Sequence, residues 1–211
     1  MTNVTLKELI NRLTDFPKPV ITWYGIDRIE LSGPVLARWL AKTENLLEAE
    51  TPFGLVTFAL KMPLTWRALP WYTCAQFRGL TLSQTPDLLV TNQPEEDLQR
   101  LAPFVPEITV ASPVESLAFN WPGTLPYGVL DGAADVIAQP DQLLQGPLGV
   151  LPSSPPATGR VLIEGNTASA LCTFEAILKQ ILRGGSVVAI DTDNISEESL
   201  RSIKNQEGLT A

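Results

Sequence analysis

Apolar residues recur every three or four positions at the start of the chain, and short runs of β-branched and aromatic residues follow. The apolar face that predicts a helix over residues 4–15 consists of Leu6, Leu9, Ile10 and Leu13. Pro17 ends this helix. The segments "VITWYG" and "IDRIELSG" have the composition of two short strands joined by a turn. A second apolar stripe predicts a helix that runs from an N-cap at Ser32 to about residue 50.

The middle of the chain alternates between strand and helix patterns. The run "FGLVTFAL" is apolar at most positions, as expected of a parallel strand covered on both faces. A helical stretch over residues 64–78, which Pro70 would kink or divide into two pieces, and the strand "GLTLS" complete a βαβ unit. The segments "LLVTN", "PEEDLQRLA" and "EITVAS" then repeat the order strand, helix, strand. This alternation predicts an α/β fold with a largely parallel sheet flanked by helices.

A segment rich in proline and glycine separates two parts of the chain. Within residues 120–158 only "YGVLDGAADVIAQ" has a helical rhythm, and "GPLGVLPSSPPATG" has the composition of a linker. The rest reads as strand, helix, strand and helix, with Ser196 as the N-cap of the last helix. We therefore predict an α/β subdomain over residues 1–145, a Pro/Gly/Ser-rich linker over 146–157 and a smaller βαβα subdomain over 158–211.

Composition restricts the class of protein. The chain has 211 residues, of which 45% are apolar and 18% charged, so it is long and apolar enough to bury a substantial core. The net charge of −8 and the absence of basic clusters argue against nucleic acid or an anionic membrane as a partner. The N-terminus does not resemble a signal peptide, and no apolar run reaches the length of a membrane span. We therefore expect a cytoplasmic protein.

The chain contains no histidine and two cysteines. The missing histidine excludes Ser-His-Asp and Cys-His catalysis and removes the commonest transition-metal ligand. Cys74 and Cys172 each lie among apolar neighbours in a helical pattern, so we expect two buried thiols. A zinc site would have too few ligands, and we predict no metal site. Acid–base chemistry would fall to carboxylates, lysine or tyrosine.

The first candidate site is the turn in "GRVLIEGNTASALCTFEAILKQILRGGSVVAID", residues 159–191. A helix that begins after a strand presents backbone amides to which an anion could bind. A phosphate-binding loop, however, needs two spaced glycines and a lysine beside serine or threonine. Here Gly165 stands alone, and the next lysine is Lys179, far into the helix. Helix capping by Asn166 or Thr167 is therefore the simpler interpretation, and anion binding is the alternative.

Carboxylates supply the other candidates. Asp191 and Asp193 end a strand, where they could hold Mg²⁺ beside a phosphate or lie in a solvated turn that favours the next helix. Asp131 and Asp135 lie one helical turn apart and could form an acid–base pair or a polar helix face. The aromatic residues within 66–77 have few basic neighbours and are interpreted as core. From these residues we predict no catalytic residue.

The order of the elements resembles the N-terminal region of the AMP-dependent synthetase and ligase superfamily of adenylate-forming enzymes. The similarity lies in "VITWYGIDRIELSGPVLARWLAKTENLLEA", "FGLVTFALKMPLTWRALPWYTCAQFRGLTL" and "LKQILRGGSVVAIDTDNISEESLRSIKNQEGLTA". The phrases "IELSGPVLARWLAKTENLL" and "PYGVLDGAADV" also resemble a narrower actinobacterial family of short proteins, distantly similar to those ligases. The resemblance implies part of the N-terminal domain of an adenylate-forming enzyme.

The departures from that superfamily bear on activity. Adenylate-forming enzymes bind the ATP phosphates with a Ser/Thr/Gly-rich loop that ends in Gly-x-Pro-Lys. The corresponding interval here has Ser153, Ser154, Thr158 and Gly159 but no lysine, and prolines remove amide donors from it. The mobile C-terminal domain with its catalytic lysine has no counterpart either. We therefore expect a truncated, degenerate relative that is non-catalytic and carries no cofactor. We expect it to bind a small ligand or a protein partner, and a second copy of the chain, in a homodimer, is one candidate for that partner.

Two other functions stay open. The first is a residual acyl-adenylate or acyl-CoA synthetase-like enzyme that uses ATP and Mg²⁺ or binds AMP. Its phosphate site would consist of Asn166, Thr167, Asp191 and Asp193. The second is a pure protein-interaction scaffold. Fold-level kinship does not choose among the three, because sites and not folds carry function.

Overall fold

The computed structural model describes residues 2–51, 54–154, 156 and 159–208, and within them eleven strands and seven α-helices. The strands are β1 (Thr2–Thr5), β2 (Pro19–Tyr24), β3 (Arg28–Ser32), β4 (Thr57–Lys61), β5 (Thr81–Leu82), β6 (Leu88–Thr91), β7 (Ile108–Ala111), β8 (Val129–Asp131), β9 (Val150–Ser153), β10 (Arg160–Gly165) and β11 (Ser186–Asp191). The helices are α1 (Leu6–Thr14), α2 (Gly33–Glu50), α3 (Ala68–Phe77), α4 (Pro94–Leu101), α5 (Ala134–Ile137), α6 (Ala170–Leu182) and α7 (Glu197–Gln206).

The largest sheet has five parallel strands in the order β5, β4, β6, β7, β8. The segment from β4 through α3 to β5 is the predicted βαβ unit, and its strands pair in parallel. The prediction of an α/β fold with a largely parallel sheet flanked by helices is thus confirmed. None of the helices in the described part of the chain is both long and apolar enough to cross a bilayer.

A second, mixed sheet has the order β10, β11, β2, β3. β2 and β3 form the antiparallel hairpin that the sequence predicts, and β11 lies parallel to both β10 and β2. Val187 of β11 lies opposite Ile21 of β2. One sheet therefore contains strands from both sides of the proline-rich segment. Of that segment, residues 155, 157 and 158 lie outside the described residues.

Alternate residues of β11 belong to two different hydrophobic clusters. Val187 and Ala189 join the main core, which also contains buried residues of α2, α3 and α6. Val188 and Ile190 pack on the opposite face, against a cluster that includes Ile203 of α7. This period of two is what a strand covered by helices on both faces requires. The predicted cap of α7 is confirmed, since the Ser196 side chain accepts a hydrogen bond from the Ser199 amide.

Two predicted helices differ from the observed ones at their N-termini. The first begins at Leu6, because residues 2–5 pair with β9 and the Thr5 side chain caps the helix in a capping box with Glu8. α3 begins at Ala68, so Pro70 lies in its first turn. The amides of a first turn have no acceptor within the helix, and proline causes no kink there. The predicted helix is therefore present but begins later than residue 64, and the expectation that Pro70 kinks or divides it was wrong.

Other differences arise where tertiary contacts override a local pattern. In "YGVLDGAADVIAQ" residues 129–131 form β8 and only Ala134–Ile137 is helical, because β7 offers a free parallel edge. Residues 150–153, within the predicted linker, form β9 against β1. Of the two thiols expected to be buried, Cys74 is buried but Cys172 is exposed. Cys172 lies outside the α6 face that carries the buried Thr173, Phe174 and Ile177.

Candidate functional site

The four residues of the predicted phosphate site lie at one edge of the mixed sheet. β10 and β11 are parallel, so the residues that follow Gly165 and Asp191 emerge side by side. Asn166 caps a short 3-10 turn, and its Oδ1 accepts a hydrogen bond of 2.9 Å from the Ser169 amide. Capping by Asn166, the simpler interpretation of this turn, is therefore observed.

The backbone amide of Thr167 is occupied by a carboxylate of the chain itself. It donates a 2.8 Å hydrogen bond to Oδ2 of Asp193. This bond, with a side-chain hydrogen bond from Thr167, lowers the pKa of the Asp193 carboxyl. An anionic ligand at this amide would have to displace a negative charge that is already bound.

Asp191 is the buried member of the group, with 2% of its surface exposed. Its Oδ1 accepts a hydrogen bond of 3.1 Å from the Asp193 amide, and its Oδ2 accepts one of 2.7 Å from Nδ2 of Asn194. These bonds fix the turn after β11. Among the described residues, no group of three or more cysteine, aspartate or glutamate side chains is placed to hold a metal ion.

Gly165 has a packing role. A Cβ atom at this position would lie 2.2 Å from Oγ1 of Thr173 on α6, far inside the contact distance. The glycine therefore lets the first turn of α6 lie against the end of β10. Close helix–strand packing explains this glycine without a phosphate.

A cleft opens where the carboxyl ends of the two sheets meet. Its inner part is a cavity of about 30 Å³. The cavity is lined by Trp23, Ile26, Asp27, Pro63, Leu64, Thr65, Val114, Ser116, Asp191 and Asn194. Its outer part is a pocket of about 610 Å³. The pocket is lined by Asp27, Arg28, Ile29, Glu115, Ser116, Leu117, Ala118, Asn120 and Pro122. Asp27 and Ser116 line both parts, which therefore adjoin.

Arg67 fixes the wall of the outer pocket. Only 5% of Arg67 is exposed, and its guanidinium donates hydrogen bonds to the carbonyls of Glu115, Ser116 and Ala118 at 2.7, 3.1 and 2.6 Å. It also lies 5.0 Å from the ring centre of Trp66. Burial lowers the pKa of Arg67 to about 10, so the group is still charged at neutral pH. A buried cation bound by backbone carbonyls thus holds the loop after β7 in place.

Arg28 is the cation that faces the outer pocket, and it already has partners. Its NH2 group lies 2.5 Å from Oε1 of Glu30, and its Nε donates a hydrogen bond of 3.1 Å to the Tyr24 hydroxyl. That hydroxyl donates in turn to Glu207 at 2.7 Å. The cleft also contains the carboxylates of Asp27, Glu115 and Asp191. Its lining is therefore more acidic than basic.

The other predicted carboxylate pair is structural. Oδ1 of Asp131 accepts hydrogen bonds from the amides of Ala133 and Ala134, at the start of α5. Oδ2 of Asp135 accepts one of 2.7 Å from the Asp131 amide. The two carboxylates therefore organise the turn between β8 and α5, and an acid–base pair is not formed.

The cleft residues that the sequence did not single out are Trp23, Thr65 and Ser116. They lie in β2, after β4 and after β7, in segments far apart along the chain. The sequence could have indicated these residues only by their position after predicted strands, because ligands of α/β proteins bind beyond the carboxyl ends of parallel strands. Only Asp191, at the end of β11, was found by that reasoning.

Comparison with solved structures identifies the architecture. An acyl-CoA synthetase from Brucella canis matches with a TM-score of 0.69 and 16% identity over 99% of this chain and 47% of its own. Acetoacetyl-CoA synthetase from Streptomyces lividans matches with 0.64 and 14% identity over 90% of this chain and 38% of its own. The N-terminal subdomain of NpsA from Klebsiella oxytoca, solved with 3-hydroxybenzoyl-AMSN, matches with a TM-score of 0.62 and 9% identity over 99% of this chain and 59% of its own.

The chain has the fold of the N-terminal region of adenylate-forming enzymes. It spans roughly two fifths to three fifths of the length of these structures. No family model and no curated protein matches the chain. At 9 to 16% identity the adenylate-forming architecture is shared, while activity has to be argued from the residues of the cleft.

Proposed function

We propose that the protein is a non-catalytic relative of adenylate-forming enzymes that binds a small organic ligand in the cleft between its two sheets. The observation that carries this proposal is the hydrogen bond from the Thr167 amide to Asp193. The position that could receive a phosphate is filled by an intrinsic carboxylate. A protein that bound the phosphates of ATP at this position would need a positively charged group there.

The charge of the cleft supports the same proposal. A nucleotide in the outer pocket would face Asp27 and Glu115, and the nearby cation Arg28 is already paired with Glu30. Like charges at short range raise the free energy of binding, and phosphoryl or adenylyl transfer depends on neutralising such charge. We therefore propose that the ligand is not a nucleotide and that no ATP, AMP or Mg²⁺ cofactor is needed.

A thermal-shift titration tests this function. The protein is titrated with Mg²⁺-ATP, AMP, CoA and acetyl-CoA, and separately with a panel of small uncharged organic molecules. A ligand at about 100 times its dissociation constant adds roughly 2.7 kcal/mol to the free energy of unfolding. We expect stabilisation from members of the uncharged panel and none from the nucleotides. Release of pyrophosphate from ATP in the presence of a carboxylic acid would overturn the proposal.

A residual acyl-adenylate or acyl-CoA synthetase-like enzyme is the second candidate, and the fold itself favours it. In that function Asn166, Thr167, Asp191 and Asp193 would surround a phosphate at the edge of the mixed sheet. It requires Mg²⁺-ATP binding that weakens in both Thr167→Ala and Asp191→Ala. Isothermal titration calorimetry of the two variants beside the wild type separates this function from the first.

Exposed apolar side chains beside the cleft favour a third candidate, a protein-interaction surface. Leu117 and Phe119 are 76% and 77% exposed, and Tyr127 is fully exposed. Apolar residues grouped on a surface are typical of protein contacts. A homodimer in the cytoplasm would cover them, and light scattering after size-exclusion chromatography measures whether the wild type is larger than a Leu117→Ser, Phe119→Ser variant.

A further inference from the structure

The inner cavity is lined by polar side chains that lack partners. Trp23, Thr65 and Ser116 are 3%, 7% and 8% exposed. The backbone carbonyls of Thr65 and Ser116 accept hydrogen bonds from Ala68 and Arg67. The indole N–H of Trp23 and the hydroxyls of Thr65 and Ser116 make no hydrogen bond with any described residue. Buried polar groups are nearly always hydrogen-bonded to protein or to ordered water, so these three groups have hydrogen bonds to offer to whatever occupies the cavity.

The chemistry of these groups restricts what can bind. The indole N–H only donates, a carboxylate only accepts, and a hydroxyl does both. The charged acceptors at the cavity are the carboxylates of Asp27 and Asp191, and the Asn194 side chain adds an amide oxygen. Trp23 Nε1 and Asp191 lie close together, because a Cβ on Gly25 would be 3.1 Å from the first and 3.5 Å from Cβ of the second. A bound group must therefore accept from the indole and donate to a carboxylate.

Two common kinds of charged group do not match the lining of the cavity. A carboxylate or phosphate would face the two aspartates, and it has no proton to donate to them. An ammonium group has no lone pair to accept the indole N–H. A hydroxyl or a primary carboxamide is uncharged and both accepts and donates hydrogen bonds. Either group can therefore accept from the Trp23 indole and donate to an aspartate.

The volumes of the inner cavity and the outer pocket indicate a ligand with a small head group and a larger body. A cavity of about 30 Å³ holds one water molecule or a head group of similar size. The adjoining pocket of about 610 Å³ has room for a small organic body, and Ile29, Leu117 and Pro122 give it apolar contacts. Ser116 lines both spaces, so this residue lies where the head would join the body.

We propose that the cleft binds an uncharged organic molecule through a hydroxyl or primary carboxamide head group, held by Trp23, Thr65, Ser116 and Asp191. The inference rests on the proposed function, because it names the class of ligand for the same cleft. The head group accepts from the Trp23 indole and donates to Asp191, and the two hydroxyls complete its hydrogen bonds.

The test follows the indole N–H of Trp23 by ¹H–¹⁵N NMR. The chain has five tryptophans, and the Trp23→Phe variant assigns this resonance. Benzyl alcohol and benzamide are the uncharged probes, and benzoate and benzylammonium are the charged ones. We expect the first two to shift the Trp23 indole resonance and the charged pair to leave it in place. The titrations themselves use the wild-type protein, and the Trp23→Phe variant serves only to assign the resonance.

Two nearly isosteric variants give the second measurement. Thr65→Val and Ser116→Ala each remove one hydroxyl and should weaken benzyl alcohol binding roughly threefold to tenfold. Thr14→Val is the control, since its hydroxyl lies exposed on α1 and donates to the Ile10 carbonyl. Each variant is first checked for cooperative thermal unfolding.

The outcomes separate the two proposals. A shift by the uncharged probes together with weaker binding in the two cavity variants supports the head-group inference. Binding of a charged probe alone, or binding of benzyl alcohol without a change at Trp23, overturns the inference and leaves the proposed function standing. If none of the four probes perturbs any cleft resonance up to its solubility limit, both the inference and the proposed function are overturned.

Discussion

The carboxylate of Asp193 accepts a 2.8 Å hydrogen bond from the backbone amide of Thr167, across the carboxyl ends of two neighbouring parallel strands. Helix starts after strands often bind external anions through such amides. Here the anion is part of the chain. The Thr167 amide is therefore satisfied without a ligand.

Replacing Asp193 should open this site to an external anion. In Asp193→Ala the Thr167 amide loses its acceptor, so we expect inorganic phosphate to shift the Thr167 amide resonance in ¹H–¹⁵N NMR. The wild type should show no such shift. Asp15→Ala, at the end of α1, is the control for a general change in charge. A wild-type protein that already binds phosphate at Thr167 would contradict the prediction and favour the enzymatic alternative.

Gly165→Ala should destabilise the fold through one contact. The added methyl group would meet Thr173 Oγ1 at 2.2 Å, and forced overpacking of this kind costs about 1–3 kcal/mol. Urea unfolding of the single variant and of Gly165→Ala, Thr173→Ala measures the effect. Because the second substitution removes the clashing hydroxyl, the double variant should be more stable than the sum of the two single changes. Strict additivity would show that Thr173 is not the group that meets the methyl.

The buried carboxyl of Glu44 should make stability depend on pH. Glu44 is fully buried on α2, and its carboxylate lies 2.8 Å from NH2 of Arg78. Burial outweighs this ion pair and raises the pKa of Glu44 from 4.5 to about 7. Between these values the folded protein holds a proton that the unfolded chain releases. The free energy of unfolding should therefore fall as pH rises from 4.5 to 7, by at most about 3 kcal/mol.

Urea unfolding of wild type and Glu44→Gln across this pH range measures that slope. The glutamine variant cannot titrate, so its free energy of unfolding should vary less with pH. Glu175→Gln is the matched control, because Glu175 pairs with Lys179 on an exposed helix face. Parallel curves for wild type and Glu44→Gln would contradict the prediction.

Arg67→Met should loosen the loop that forms the outer pocket. The methionine fills the space but leaves the carbonyls of Glu115, Ser116 and Ala118 without their donor. We expect a loss of about 1–3 kcal/mol in the free energy of unfolding and faster hydrogen exchange at residues 115–118. Arg67→Lys keeps the charge but not the planar fork, and should behave like the methionine variant. Arg100→Met, which is exposed, should change neither measurement.

Local patterns in the sequence predicted the elements that depend on local chemistry. The proline-started helix α4, the β2–β3 hairpin and the Ser196 cap were all found from residue type and spacing. β8 and β9 were not, because each is a strand only where a neighbouring strand offers its edge. Pro70 was misread because its effect depends on where α3 begins.

The residues of the cleft were harder to predict from local sequence patterns than the strands and helices. Asp191 was found as a carboxylate at a strand end, yet its neighbours Trp23, Thr65 and Ser116 have no common motif. Trp23 lies in a predicted strand, Thr65 in the predicted helix over residues 64–78, and Ser116 in no predicted element. These three residues come together only because of how the two sheets are placed relative to each other. The spacing of residues along the chain does not reveal that placement. What the three residues share is a place in the lining of one cavity, and that is visible only in three dimensions.

The pairing of β11 with β2 also has a consequence for how the protein is made. β11 is synthesised long after β2, because about 160 residues separate Tyr24 from Ser186. Until β11 arrives, the β2–β3 hairpin keeps an open edge, and contacts between such distant segments form slowly. The nascent chain therefore exposes a strand edge until β11 is translated, and chaperone binding during that interval would protect the edge from pairing with another chain.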